Sequence, residues 1–210
     1  MSATKILITL LPLGLLLTYT TFASLSESFA QTNQSLTAQK SPPPSQQQTQ
    51  SCKLTESNIE GPFYKEGAPF RQVLREGLEG ERLVLTGKVL SERCEPLEGA
   101  VLDFWQANSD GNYDNEGFTL RGKIKTDKDG QYLLDTIIPK EYGQVNAIRP
   151  SHIHVKVGIP GQSILTTQLY FEGDPYNESD PFVVPSLIMK VTEENRTKKA
   201  NFDFVIKDDK

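Results

Sequence analysis

No stretch of this chain sustains the 3.6-residue apolar period of a packed helix. From Arg82 onward, short alternating or β-branched runs recur between turn signals instead. "RLVLTGKVL" alternates and places Leu83, Leu85 and Val89 on one face. "GAVLDFWQAN" follows, then "FTLRGKIKTD", which leads through "KDG" into "QYLLDTII"; "HIHVKVGI", "ILTTQLYFEG" and "NFDFVI" complete the series. Roughly seven strands with turns every eight to twelve residues or so predict an all-β chain, a β-sandwich with at most a short helical turn in "DPFVVPSLIMKV".

The strands occupy only part of the 210 residues. The first thirty have the form of a signal peptide: Lys5, the apolar "ILITLLPLGLLL", then small residues that offer cleavage after Ala23 or Ala30. A retained anchor is the other reading, but the apolar run is short for a span and carries Pro12. Residues 31–51, "QTNQSLTAQKSPPPSQQQTQS", have too few apolar groups to offset ordering entropy and read as a disordered linker. The folded domain is expected over residues 52–210. The chain beyond the leader keeps the net charge of −5, since Lys5 and Glu27 cancel in the leader, and no dense basic stripe suits it to nucleic acid. Export, to a periplasm or fully outside, makes Cys52 and Cys94 a candidate disulfide, with two free thiols the alternative in a reducing compartment. Such a bridge contributes about 4 kcal/mol in the chain-entropy model. After processing no membrane span is expected.

Both histidines of the chain fall in "RPSHIHVKV". In a strand, Ile153, Val155 and Val157 point to the core while His152, His154 and Lys156 point the other way. The imidazoles then start about 6.5 Å apart and can converge on one ion; two surface histidines on a half-exposed strand are the plainer reading. Further ligands must come from Asp, Glu or Tyr if the cysteines are bridged. Tyr113, in "SDGNYDNEG", and Tyr142, in "PKEYGQ", lie in turns, whereas Tyr132 and Tyr170 lie in strands and read as core. Spacing alone does not promote either turn tyrosine.

The blocks "GPFY", "DFWQANSDGNYD", "TDKDGQY", "IIPKEYG", "RPSHIHVKV" and "LTTQLYFEGDP", in this order from about Leu54 to Pro181, resemble the intradiol ring-cleavage dioxygenases, which include protocatechuate 3,4- and catechol 1,2-dioxygenases. The exported layout is similar to a secreted branch of that family. The resemblance implies an Fe(III) cofactor held by Tyr113, Tyr142, His152 and His154. Two hard phenolate oxygens favour ferric over ferrous iron. It also implies that a catecholic small molecule and O2 are the substrates and a muconate-type diacid the product. Tyr142 is the ligand expected to yield to the substrate and accept its proton. Arg149 and Gln168 match residues that stabilise charge developing on the ring, and Ile59, Pro62 and Phe63 match positions lining the substrate pocket.

Three features depart from the pattern. Ser151 stands where Ala is more usual, the Tyr142–His152 interval is short, and little chain precedes "GPFY" to form a helical dimerisation region. Substrate choice and homo-oligomer formation therefore stay open. The run "GKVLSERCEPLEGAVLDFW…TDKDGQYLLDTIIP" also resembles transthyretin-like sandwich modules that only pack or bind, so the first half speaks for a fold with transthyretin-like topology rather than for an activity. A copper or zinc site of another purpose is a third reading, and phenolate ligation separates it from ferric iron.

Overall fold

A computed structural model describes residues 51–144 and 147–209. The expected leader falls outside the described residues, as does the linker except for Ser51.

The alternating run Arg82–Ser91 forms β1, the hub of the first sheet. One edge pairs antiparallel with β4 (Gln131–Ile137) along nearly its whole length. The other edge is shared by two parallel partners in succession, β11 (Thr197–Asn201) against Leu83–Thr86 and β12 (Phe204–Ile206) against Val89–Ser91. β10 (Val191–Glu194) extends the sheet beyond β11. The second sheet runs β3 (Arg121–Lys125), β2 (Val101–Gln106), β7 (His152–Gly158), β8 (Ile164–Phe171) and β9 (Ile188–Met189). A small hairpin, β5 (Tyr142–Gln144) with β6 (Ala147–Arg149), stands apart from both. The expected helical turn is a single 3-10 turn at Pro185–Leu187.

Alternation supplies the core between the sheets. Leu83, Leu85 and Val89 of β1 face Leu102 and Phe104 of β2 and Ile153, Val155 and Val157 of β7, all essentially without solvent contact. At roughly 1.5–3 kcal/mol for each fully buried large aliphatic or aromatic side chain, this layer is the main source of stability.

Ahead of β1, residues 52–64 form an extended arm. Cys52 is bonded to Cys94 with a Cα–Cα distance of 5.3 Å. The Thr55 N–H donates to Val205 O, and Val205 N–H donates back to Thr55 Oγ1. Asn58 N–H donates to Thr166 O, and Thr167 Oγ1 donates to Glu56 O. The arm thus crosses from β12 to β8 and runs on over the outer face of the second sheet.

Candidate metal centre

The register of the second sheet lines up four side chains on that outer face. Arg121 of β3 lies opposite Trp105 of β2, Trp105 opposite His154 of β7, and His154 opposite Gln168 of β8. Two residues along, His152 lies opposite Tyr170. Strand alternation places the histidines away from the core as expected, but their face is not open: His152 is 2% and His154 1% exposed. The arm covers them. Gly61 lies against His154, and Phe63 stacks on Tyr113 with ring centroids 4.3 Å apart.

Tyr113 comes from the β2–β3 loop, which two polar side chains shape. Asn108 Oδ1 accepts the N–H groups of Asp110 and Asn112, and Asp114 accepts those of Glu116, Gly117 and Thr119. Gly111 makes the approach to Tyr142 possible: its φ is +83°, and a Cβ there would sit 2.9 Å from Glu141 O and 3.2 Å from Tyr142 Cβ. Tyr142, expected in a turn, instead opens β5. The hairpin register sets it directly opposite Arg149 of β6.

These elements bring the four candidate ligands together around His152 Nε2. His154 Nε2 lies at 3.1 Å, Tyr113 Oη at 3.4 Å and Tyr142 Oη at 3.5 Å. Donors bound at about 2.0–2.1 Å to one ion stand roughly 3 Å apart, so the spacing fits a shared cation. The tautomer fits too. His152 Nδ1 lies 2.7 Å from Pro150 O, an atom that can only accept, so the ring proton is on Nδ1 and the lone pair on Nε2 faces the other donors. Trp105 lies parallel to His154 at 4.8 Å and fixes that ring's plane. Burial, with Arg149 nearby, lowers the His152 pKa to about 4; burial next to His152 pushes His154 well down. Both imidazoles are therefore neutral at pH 7, as metal ligation requires. Burial and the neighbouring Tyr142 raise Tyr113 far above the ordinary phenol range, so an adjacent cation is what would ionise it. Among the described residues no three His, Cys, Asp or Glu side chains gather; the cluster depends on tyrosine.

Arg149 sits beside this group. Its Nη2 donates to Gln168 Oε1 at 2.9 Å and to Tyr170 Oη at 3.2 Å, and its Nε donates to Asp180 Oδ2. Gln168 Nε2 donates to Ile59 O at 2.7 Å, so Gln168 ties the arm to Arg149. Of the three expected pocket residues, Phe63 stacks on a candidate ligand, Ile59 takes part through its carbonyl, and Pro62 is exposed between them. The Ser151 hydroxyl donates to Pro139 O, and its N–H donates to Asp174. Trp105, Arg121 and Asp180 were not singled out from the sequence, and Tyr170 was read only as core. Tyr170 had a usable signal, since it is two residues from Gln168 and shares its face. Asp180, a polar residue in a long connection, had none.

The chain was also compared with known proteins. A family model described as "Dioxygenase" matches residues 59–208. Chlorocatechol 1,2-dioxygenase of Rhodococcus opacus is 37% identical over 153 residues, covering 60% of this chain and 60% of that protein. Catechol 1,2-dioxygenase 2 of Acinetobacter lwoffii is 34% identical over 171 residues, 70% of this chain and 62% of that protein. The chain thus spans about three fifths of the length of these curated relatives. Among solved structures, the dioxygenase domain of a dioxygenase carbohydrate-binding protein fusion from Streptomyces sp. SirexAA-E superposes with a TM-score of 0.69 at 40% identity, covering 74% of this chain and 99% of that one.

Proposed function

The chain belongs to the intradiol ring-cleavage dioxygenase family, and on that footing we propose that it is a non-haem Fe(III) enzyme that opens a catecholic ring between its two hydroxyls, using O2. The observation that carries this reading is the convergence of two phenol oxygens on two neutral imidazoles, one with its lone pair oriented by Pro150 O. Tyr113, Tyr142, His152 and His154 would hold the metal. When bound, ferric iron supplies Lewis-acid activation of the catechol towards O2.

The remaining roles belong to the chain. Tyr142, on the small hairpin, is the candidate base that takes a proton from the incoming catechol, while Tyr113 is held in place by the Phe63 stack. Arg149 places a fixed positive charge beside the ring as negative charge develops on it. Burial works against that charge, but the hydrogen bond and ion pair to Asp180 outweigh it and raise the Arg149 pKa. Phe63 covers one side of the site, and the product expected is a muconate-type diacid. We place the enzyme outside the reducing cytosol, a reading that the Cys52–Cys94 bridge and the leader-like first thirty residues support.

The test is direct. The domain is prepared with iron, its visible spectrum is recorded, and catechol or protocatechuate is added under air. Phenolate-to-iron charge transfer should colour the protein red-brown, and turnover should follow. A colourless protein without stoichiometric iron would refute the reading. His154→Ala should lose iron, whereas Arg149→Ala should keep iron and lose turnover.

A further inference from the structure

We propose that Asp180 and Phe182 are positioning residues that aim Arg149, leaving its Nη1 as the nitrogen offered to a ring bound in the site. The inference rests on the reading of the site given above.

A guanidinium carries five N–H donors in one plane. In Arg149, Nε donates to Asp180 Oδ2, and Nη2 donates to Gln168 Oε1 and to Tyr170 Oη. The Phe182 ring covers one face, with its centroid 5.1 Å from Cζ. Three in-plane bonds and one stacked ring leave the group no free rotation. Nη1 makes no hydrogen bond to a described residue, and it is the nitrogen we assign to a bound ring.

Asp180 is built for this use. Its side chain is 1% exposed, a setting in which a lone carboxylate is costly and a paired one is tolerated. Its Oδ1 accepts the Phe182 N–H at 2.8 Å, so one carboxylate fixes both the guanidinium and the residue that stacks on it. Phe182 O in turn lies 3.1 Å from Tyr170 Oη and 2.7 Å from Asn58 Nδ2 of the arm. The same connection, residues 172–184, holds Ser151 N–H through Asp174 Oδ2 at 2.9 Å. It therefore grips "RPSH" at Arg149 and again next to His152. A buried ion pair adds little net stability; here its effect is to fix direction, and a misplacement of about 1 Å in such a group costs on the order of a hundredfold in rate.

The experiment uses the full chain loaded with iron, in four forms: wild type, Asp180→Asn, Arg149→Ala and the double variant. The readouts are iron content, kcat and KM for catechol, and binding of 4-nitrocatechol measured by its own absorbance without turnover. In 15N-labelled protein the Arg149 Nε–H resonance is also followed. Asp180→Asn should keep iron, lose the slow exchange of Arg149 Nε–H, weaken 4-nitrocatechol binding, and lower kcat by about a hundredfold with a smaller change in KM. In the Arg149→Ala background, where turnover is already lost, the same substitution should change 4-nitrocatechol binding by no more than about twofold. Equal losses of 4-nitrocatechol binding with and without Arg149, or a wild-type kcat in Asp180→Asn, would overturn the proposal. If Asp180→Asn does not fold, Phe182→Leu keeps the ion pair and should give a smaller loss with the same dependence on Arg149; independence from Arg149 again overturns the idea. A wild type that binds 4-nitrocatechol in the Asp180-dependent way but turns over no catechol would leave the aiming intact and sink the reaction assigned to the site.

Discussion

Replacing Gly61 by alanine tests whether the arm bears on the metal ligands, and Gly77 supplies the control. Both glycines have left-handed backbone, with φ of +71° and +73°. Alanine at either costs about 1–2 kcal/mol in strain, or a Tm lowered by about 2–8 °C for a domain of this size. The surroundings differ. At Gly77 a Cβ meets nothing within 4 Å, whereas at Gly61 it lies 3.3 Å from His154 Cε1 and 3.8 Å from Nε2. The first distance requires a neighbour to yield by a few tenths of an ångström. The Trp105 ring, stacked on His154 at 4.8 Å, limits how that imidazole can move. The arm must lift, against the Gln168–Ile59 hydrogen bond and the Phe63–Tyr113 stack, or the imidazole must tilt. Either outcome disturbs the support of a ligand, which typically costs about 10–100-fold in metal affinity. Thermal unfolding of the metal-free proteins gives the strain, and iron competition against a chelator, followed in the visible band, gives the affinity. Gly61→Ala should lose at least as much stability as Gly77→Ala, with iron affinity falling only in Gly61→Ala. Equal iron affinities would refute the argument that the arm presses on His154.

Three further predictions follow from the geometry. Tyr113→Phe keeps the stack on Phe63 and should unfold within about 1 kcal/mol of wild type when metal-free, yet lose or recolour bound iron; an unchanged visible band would remove Tyr113 from the ligand set. Replacing both Cys52 and Cys94 by serine opens a closure of 42 residues and should cost about 4 kcal/mol, read as a lower denaturant midpoint, and a midpoint unchanged in the double variant would show that the bridge constrains nothing. The Asp114 carboxylate accepts N–H groups from Gly117 and Thr119, which hold its pKa well below the ordinary range. Its stabilising effect is therefore complete at neutral pH and is lost as the pH falls below about 4. Asp114→Ala should be less stable than wild type at pH 7, with the difference shrinking in acid; a difference that grew in acid would reverse the sign of the argument.

Local pattern carried the sandwich because local pattern is what burial enforces. Leu83, Leu85 and Val89 alternate, and the same alternation separates Ile153 and Val155 from His152 and His154. Pattern could not reveal what covers the histidines, since the arm reaches them through contacts such as Asn58 with Thr166, which leave no period in the sequence. The β5–β6 hairpin was missed for a related reason: strands of three residues with little apolar content have no alternation to read, yet their register is what sets Tyr142 opposite Arg149. Tyr170 was expected in the core and is fully buried, but its hydroxyl serves Arg149, a dual use that burial alone does not distinguish. The parallel pairing of β1 with β11 and β12 joins segments too distant for any local signal.

The hook between Thr55 and Val205 also bears on the order in which the molecule is assembled. The candidate ligands all lie between Tyr113 and His154, so the chain segment that supplies them is synthesised well before β12. The arm is made earlier than either; the bridge to Cys94 can tie its start early, but its hydrogen bonds to Thr166, Gln168 and Val205 wait for the later strands. Contacts of such long sequence separation form late because loop-closure entropy must be overcome first. The donors can therefore be gathered while the far part of the arm is still loose; the roof settles over them once β8 supplies Gln168, and the hook to Val205 is added last.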